Sequence, residues 1–143
     1  MSNFRKIDDA IFIGPQPSAQ DLQEAKQLGI KTVVDFRMPI ETAASNEMLT
    51  KNAGLNYASI PVNKADLSSS QISQLAQVMN SREGPFFLHC ATGARAALLL
   101  SLNQARQHGW SAEQVFDEAK KIGFDLKTSP EFSNFIIDLT QSR

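Results

Sequence analysis

The sequence predicts an α/β fold in which a central, mostly parallel sheet of four to five strands carries helices on both faces. Short runs of β-branched and aromatic residues alternate along the chain with longer stretches whose apolar residues recur at helical spacing. Strands separated by helices pair in parallel and need cover on both faces. The chain has 143 residues, of which 42% are apolar and 20% charged. This composition indicates one globular domain over residues 1–143.

The individual elements follow from local signals. Five apolar or alternating runs predict strands over residues 4–7, 10–14, 32–36, 55–62 and 85–89. Capping residues and terminal glycines predict helices over residues 18–28, 41–52, 68–79, 95–108, 111–123 and from 129 onward. Ser111 and Gln114 form a capping box at the start of one of these helices. The last helix should turn four apolar side chains inward, those of Phe132, Phe135, Ile136 and Leu139.

The composition also excludes several classes of protein. A net charge of −1 argues against a nucleic-acid binder with a basic face. No apolar run approaches the ~20 residues of a membrane span. The single cysteine excludes an internal disulfide, and two histidines leave little for a metal site. The first residues lack the apolar core of a signal peptide, so we expect a cytoplasmic protein. We also expect it to use no metal or organic cofactor.

One segment carries residues suited to chemistry. Cys90 follows the strand at 85–89, a loop of small residues comes next, and Arg95 opens a helix. Backbone N–H groups at such a helix start form a nest that binds anions and favours a thiolate. A guanidinium can grip two oxygens of the same anion. The predicted substrate-binding residues are Ala91, Thr92, Gly93, Ala94, Arg95 and Ala96. The alternative is that Cys90 only packs in the core, that Gly93 is an ordinary turn glycine and that Arg95 is solvated. The order of strand, cysteine, loop, arginine and helix disfavours this alternative.

These landmarks give the chain a family resemblance over most of its length. The stretches 10–17, 31–37 and 57–62, with His89, Cys90 and Arg95, resemble the cysteine-dependent phosphatases of the dual-specificity-like branch. In particular, they resemble a small bacterial family also found as the phosphatase-like domain of the β-lactamase hydrolase-like protein. The resemblance implies the cysteine-phosphatase (dual-specificity-like) fold, with Cys90 as nucleophile and Arg95 as the phosphate-binding arginine. Ala91 to Ala94 would be the backbone cradle.

Two departures from the family pattern bear on function. Phosphatases of this type place five residues between the cysteine and the arginine, whereas four separate Cys90 from Arg95. The shorter loop resembles that of rhodanese-type sulfurtransferases, which carry a persulfide. Phosphatases also place Ser or Thr after the arginine to stabilise the leaving thiolate, and Ala96 stands there instead. Thr92 is an alternative donor.

A phosphatase also needs a general acid for the leaving oxygen. The family pattern places an aspartate in the loop after the strand at 55–62, and Asp66 is the only acid in that loop. Its competing interpretation is a turn or cap residue. We expect His89 to tune Cys90 through hydrogen bonding rather than to act as a base. Arg37 and Glu41 follow the strand at 32–36 and so can reach the same sheet edge. We favour the simpler expectation that they pair with each other at helical spacing.

Three functions remain open at this point. The leading one is hydrolysis of a phosphate monoester through a phosphocysteine intermediate. The second is sulfur transfer through a persulfide on Cys90, and the third is a catalytically silent module that binds anions or phosphopeptides. The expected partner is a phosphorylated substrate or another small oxyanion, with no nucleic acid and no membrane. The sequence defines neither the physiological substrate nor the oligomeric state.

Overall fold

The computed structural model describes residues 4–41 and 46–141 and contains a five-stranded sheet of order β1-β2-β5-β3-β4. The antiparallel β1–β2 pair lies at one edge, and the pairs β2–β5, β5–β3 and β3–β4 are parallel. The predicted mostly parallel sheet is therefore confirmed. Its strands are β1 (Arg5–Asp8), β2 (Ile11–Gly14), β3 (Thr32–Asp35), β4 (Asn56–Ser59) and β5 (Phe86–His89).

The helices of the described residues follow the predicted order. They are α1 (Ala19–Gln27), α2 (Asn46–Asn52), α3 (Ser69–Ser81), α4 (Ala94–His108), α5 (Ala112–Lys121) and α6 (Pro130–Gln141). Two short 3₁₀ helices cover Pro39–Glu41 and Leu126–Thr128. Capping boxes begin α1, α3 and α5, and the one at α5 is the predicted pair of Ser111 and Gln114.

One predicted helix is wrong at its start. The stretch from residue 41 was expected to be helical throughout, but Glu41 ends the 3₁₀ turn and α2 begins at Asn46. Residues 42–45 of that prediction lie outside the described part of the chain. Pro39 accounts for the early turn, because its fixed φ suits the first position of a helical turn.

The core lies on both faces of the sheet because side chains alternate along each strand. Ile13, Val34 and Leu88 face a cluster built with α3, α4, α5 and α6. Phe12, Val33 and Phe87 face a smaller cluster that contains residues of α1. In α6, Phe132 and Ile136 are buried, while Phe135 and Leu139 are half-buried against the same core as predicted.

The three inner strands end side by side. Gly14 and Asp35 both stand in register with His89, so the loops after β2, β3 and β5 leave the sheet at the same edge. The Gln16 amide then donates to the Ala91 carbonyl at 3.2 Å, which ties the loop after β2 to the loop after β5. Ligands of parallel sheets bind at this carboxyl edge. Within the described residues, no helix has the length and apolar character needed to span a bilayer.

Gly14 provides a test of this arrangement. A Cβ at this position would lie 2.7 Å from the Cβ and 2.9 Å from the Cα of Phe4, so the neighbouring backbone must shift. We expect Gly14→Ala to lower the free energy of unfolding by about 1–3 kcal/mol, as overpacking does. Urea denaturation measures this as a lower midpoint at an unchanged slope. An unchanged midpoint would contradict the close approach.

Candidate active site

The loop that follows β5 folds around the sulfur of Cys90. The side chain is 1% exposed, and the Gly93 amide donates to Sγ at 3.0 Å. Gly93 has a φ of +102°, which favours glycine, and there the chain turns into α4. A Cβ at this position would lie 2.8 Å from Cζ of Phe124. Glycine is therefore required here both for the turn and for the space.

Several backbone N–H groups around the start of α4 have no hydrogen-bond acceptor among the described residues. In residues 4–41 and 46–141, the amides of Ala91, Thr92, Arg95 and Ala96 have no hydrogen-bond acceptor. The Ala94 amide makes a long contact of 3.4 Å with Oγ1 of Thr92. Unpaired amides at a helix start combine with the helix dipole to attract anions. The structure thus brings all the predicted cradle residues together beside Cys90.

The guanidinium of Arg95 bonds Glu41 and the Val62 carbonyl, and the Cys90 sulfur lies near it. Its Nη2 and Nη1 donate to Oε1 and Oε2 of Glu41 at 2.6 and 2.7 Å, and Nη1 also donates to the Val62 carbonyl at 3.0 Å. Nη1 is then fully used, and one hydrogen of Nη2 together with that of Nε forms the remaining fork. Hydrogen bonds to Glu41, opposed by burial, raise the pKa of Arg95, and the nearby Cys90 sulfur adds to the rise.

The predicted pair between Arg37 and Glu41 is wrong. Arg37 instead donates to its near neighbour Asp35, from Nε to Oδ1 at 3.1 Å and from Nη2 to Oδ2 at 3.2 Å. Both side chains are 1% exposed. Burial alone would raise the pKa of Asp35, but the hydrogen bonds from Arg37 and further favourable interactions lower it.

Glu41 is consequently a ligand of Arg95 rather than of Arg37. The hydrogen bond from Arg95 outweighs partial burial and lowers the pKa of Glu41 to about 2. Glu41 is therefore a carboxylate at neutral pH and cannot donate a proton there. Its role is to fix the orientation of the guanidinium, which fits the strength of paired carboxylate–guanidinium hydrogen bonds.

His89 lies fully buried directly before the cysteine. Its Nε2 is 3.1 Å from Nδ2 of Asn46, and its Nδ1 is 3.8 Å from Oδ1 of Asp35. The Asn46 amide is a donor, so Nε2 accepts and Nδ1 carries the proton. Burial lowers the pKa of His89 to about 4, and the charge of Asp35 and a backbone interaction with Cys90 offset this only in part.

A cavity of about 350 Å³ opens beside Arg95. It is lined by Met38, Glu41, Val62, Asn63, Lys64, Thr92, Ala94, Arg95 and Phe132. Asp66 is exposed in the turn that follows, and its amide donates to the Asn63 carbonyl at 2.9 Å. Asp66 therefore does not line the cavity. It follows the lining residue Lys64 by two positions in the same loop.

Sequence reasoning missed two charged residues of this cavity. Glu41 was assigned to the wrong partner, because its true partner Arg95 is 54 positions away and no local spacing reveals it. Lys64 lies in the same loop as Asp66 and lines the cavity. Its positive charge next to the predicted anion cradle could have indicated a role in binding. Among the described residues, no group of three or more His, Cys, Asp or Glu side chains is placed to hold a metal ion.

Comparison with known proteins identifies the family. The phosphatase-like domain of the beta-lactamase hydrolase-like protein matches residues 3–107, and the chain therefore belongs to that family. The beta-lactamase hydrolase-like protein of Agrobacterium fabrum is 29% identical over 126 residues, which cover 85% of this chain and 29% of that protein. The chain thus spans less than a third of the length of this curated relative.

Solved structures share the fold. A protein of Neisseria meningitidis described as a candidate phosphatase is 25% identical, with a TM-score of 0.78 over 96% of this chain and 98% of that one. TpbA of P. aeruginosa, solved in complex with pTyr, is 21% identical, with a TM-score of 0.77 over 98% of this chain and 88% of that one. The predicted cysteine-phosphatase fold is confirmed, and the chain is a phosphatase-like domain.

The buried histidine predicts a pH dependence of stability. The pKa of His89 is about 4 in the folded protein and about 6.5 when unfolded. As pH falls from 6.5 to 4, the unfolded chain takes up a proton that the folded chain does not, so stability decreases. We expect His89 to contribute up to about 3 kcal/mol to this decrease.

Urea denaturation at several pH values measures this contribution. His89→Gln should flatten the dependence between pH 6.5 and 4, whatever its effect on stability at pH 7. The exposed residue His108 offers the control, and His108→Gln should keep the dependence of the unaltered protein. Equal slopes in all three proteins would show that His89 is not buried in its neutral form.

Proposed function

We propose that this chain is a cysteine-dependent phosphatase that hydrolyses phosphate monoesters through a phosphocysteine at Cys90. The observation that carries the proposal is the hydrogen bond that the Gly93 amide donates to the sulfur of Cys90, at the start of a helix. The Gly93 amide lies 3.0 Å from Sγ, further amides of the α4 start have no acceptor among the described residues, and Arg95 keeps one fork free. Membership of a phosphatase-like family supports this assignment.

The proposed reaction has two steps. The thiolate of Cys90 attacks phosphorus, and a P–S bond forms as the bond to the ester oxygen breaks. That oxygen leaves with a proton from a general acid. A water molecule then attacks the phosphocysteine and gives a proton to the general acid, now ionised; the P–S bond breaks, which releases inorganic phosphate and restores the thiolate. Catalysis rests on donors placed where charge spreads over the three equatorial oxygens. The free fork of Arg95 and the amides of the loop supply those donors.

Asp66 is the proposed general acid. The two acidic or basic alternatives nearest the cysteine are unsuited, because Glu41 is ionised in its pair with Arg95 and His89 is buried and neutral. Asp66 is exposed on the loop whose residues Asn63 and Lys64 line the cavity. Its carboxyl group is thus free to approach a leaving group from the open side of the cavity.

Asp66→Asn tests this assignment. We expect kcat/KM for an alkyl phosphate or for phenyl phosphate to fall by about 10²–10⁴-fold, the usual contribution of a general acid. The loss should shrink for 4-nitrophenyl phosphate, because its weakly basic leaving group needs less protonation. Asp117→Asn, at an exposed position of α5, is the control and should retain activity. Equal losses for every leaving group would assign Asp66 to the turn instead.

Cys90→Ser tests the nucleophile and separates the three functions. We expect it to abolish aryl-phosphatase turnover, since a serine hydroxyl is a far weaker nucleophile at neutral pH than a thiolate. Intact-mass analysis of the unaltered protein after rapid acid quench should show a phosphate adduct on Cys90. A single added sulfur without phosphatase turnover would establish the sulfurtransferase, to which the four-residue loop points. Phosphate binding without either adduct would establish a silent binding module.

A further inference from the structure

The cavity beside Arg95 continues into a second one. This second cavity, of about 340 Å³, is lined by Lys64, Ala94, Gly123, Phe124, Asp125, Leu126, Thr128, Ser129 and Phe132. Lys64, Ala94 and Phe132 line both cavities. The two spaces therefore form one groove, with the anion cradle in its first half. A substrate whose phosphoryl group lies at Arg95 has room for its leaving group in the second half.

Lys64 lies at the junction of the two halves. Its Nζ is 5.2 Å from the centre of the Phe132 ring, which is the range of a cation–π contact. Within residues 4–41 and 46–141, no carboxylate lies within 4.0 Å of this ammonium group. The charge of Arg95, by contrast, is already balanced by Glu41. Lys64 is thus the uncompensated cation of the groove.

Most polar groups of the second half already form hydrogen bonds within the chain. The Asp125 carboxylate accepts the Lys127 amide at 3.3 Å, and the Thr128 hydroxyl donates to the Asp125 carbonyl at 2.9 Å. The Ser129 hydroxyl accepts the Phe132 amide at 3.3 Å. Asp125 repels an anion deep in this half, so an anionic group is favoured only at the junction, next to Lys64. Phe132, which lines both halves, offers apolar surface for the part of the leaving group between the two charges.

We infer that the substrates of this site carry a second anionic group, on the leaving group, and that Lys64 selects for it. This inference rests on the proposed phosphatase function and names its substrate class. The scissile phosphoryl group binds the free fork of Arg95, and the second anion pairs with the Lys64 ammonium. Lys64 is thereby a specificity-determining residue rather than part of the reacting centre.

Two matched aryl phosphates test the inference. In 4-carboxyphenyl phosphate the leaving group carries a carboxylate, and in 4-carbamoylphenyl phosphate a neutral amide of similar size replaces it. We expect the unaltered protein to prefer the carboxylate in kcat/KM by about two- to fivefold, the range of a partly exposed ion pair. Lys64→Gln should abolish this preference, Lys64→Arg should retain it, and added salt should weaken it.

Lys127→Gln is the matched control. Lys127 also lies over an aromatic ring, with Nζ 5.4 Å from the centre of the Phe116 ring, but it does not line either cavity. This variant should keep the preference of the unaltered protein. A third probe, 4-(aminomethyl)phenyl phosphate, carries a cation at the same place. Faster turnover of this probe than of the carboxylate would assign the groove to cationic leaving groups through Asp125 and overturn the inference.

The outcomes separate this inference from the proposed function. Loss of activity toward both aryl phosphates to the same extent in Lys64→Gln would mean that Lys64 contacts the scissile phosphoryl group, and the inference would fail alone. The inference would also fail alone if turnover of all probes showed no preference that depends on Lys64. Absence of turnover for every probe, with the protein folded, would contradict the phosphatase function itself.

Discussion

The geometry of the site depends on the burial of one short strand. β5 lies in the middle of the sheet, between β2 and β3, and all of its residues are buried. Parallel pairing on both sides fixes its register, so its carboxyl end delivers Cys90 to one place. The neighbouring strands end in the same register and supply the loops that surround this place. A nucleophile on an edge strand would lack this support from two sides.

Two guanidinium–carboxylate pairs lie near the strand ends and serve different purposes. Both side chains of the pair of Arg37 and Asp35 are 1% exposed. Breaking such a pair leaves an uncompensated buried charge. The Tyr57 hydroxyl also donates to Asp35 at 2.9 Å, and this bond joins the end of β3 to β4. The pair of Arg95 and Glu41 is 15% and 29% exposed and faces the cavity. It fixes the orientation of the Arg95 guanidinium, the proposed phosphate-binding group.

Sequence alone predicted the elements whose signals are local. Alternation, capping boxes and terminal glycines identified the five strands and most helices. The order of Cys90, loop and Arg95 predicted an anion cradle at the start of α4. The error at Glu41 arises because the determining contact is distant. The spacing of Arg37 and Glu41 suggests a helical pair, yet Glu41 binds Arg95, 54 positions away, and Arg37 pairs with its near neighbour Asp35. The groove beyond Phe132 needs the fold of residues 123–129, which carries no local pattern of its own.

The four-residue loop between Cys90 and Arg95 bears on the missing hydroxyl at Ala96, because the loop itself brings a donor to the sulfur. In the phosphatases that this chain resembles, a Ser or Thr after the arginine stabilises the leaving thiolate. Here Ala96 offers no donor, but the turn at Gly93 brings a backbone N–H to 3.0 Å from the sulfur. A hydrogen bond to a thiolate stabilises it whether a hydroxyl or an amide donates. The positive φ of Gly93, which only glycine adopts readily, makes this donor available within four residues. In the proposed phosphatase, the loop would replace a side-chain donor by a main-chain one. Phe124 lies 2.8 Å from where a Cβ at position 93 would stand.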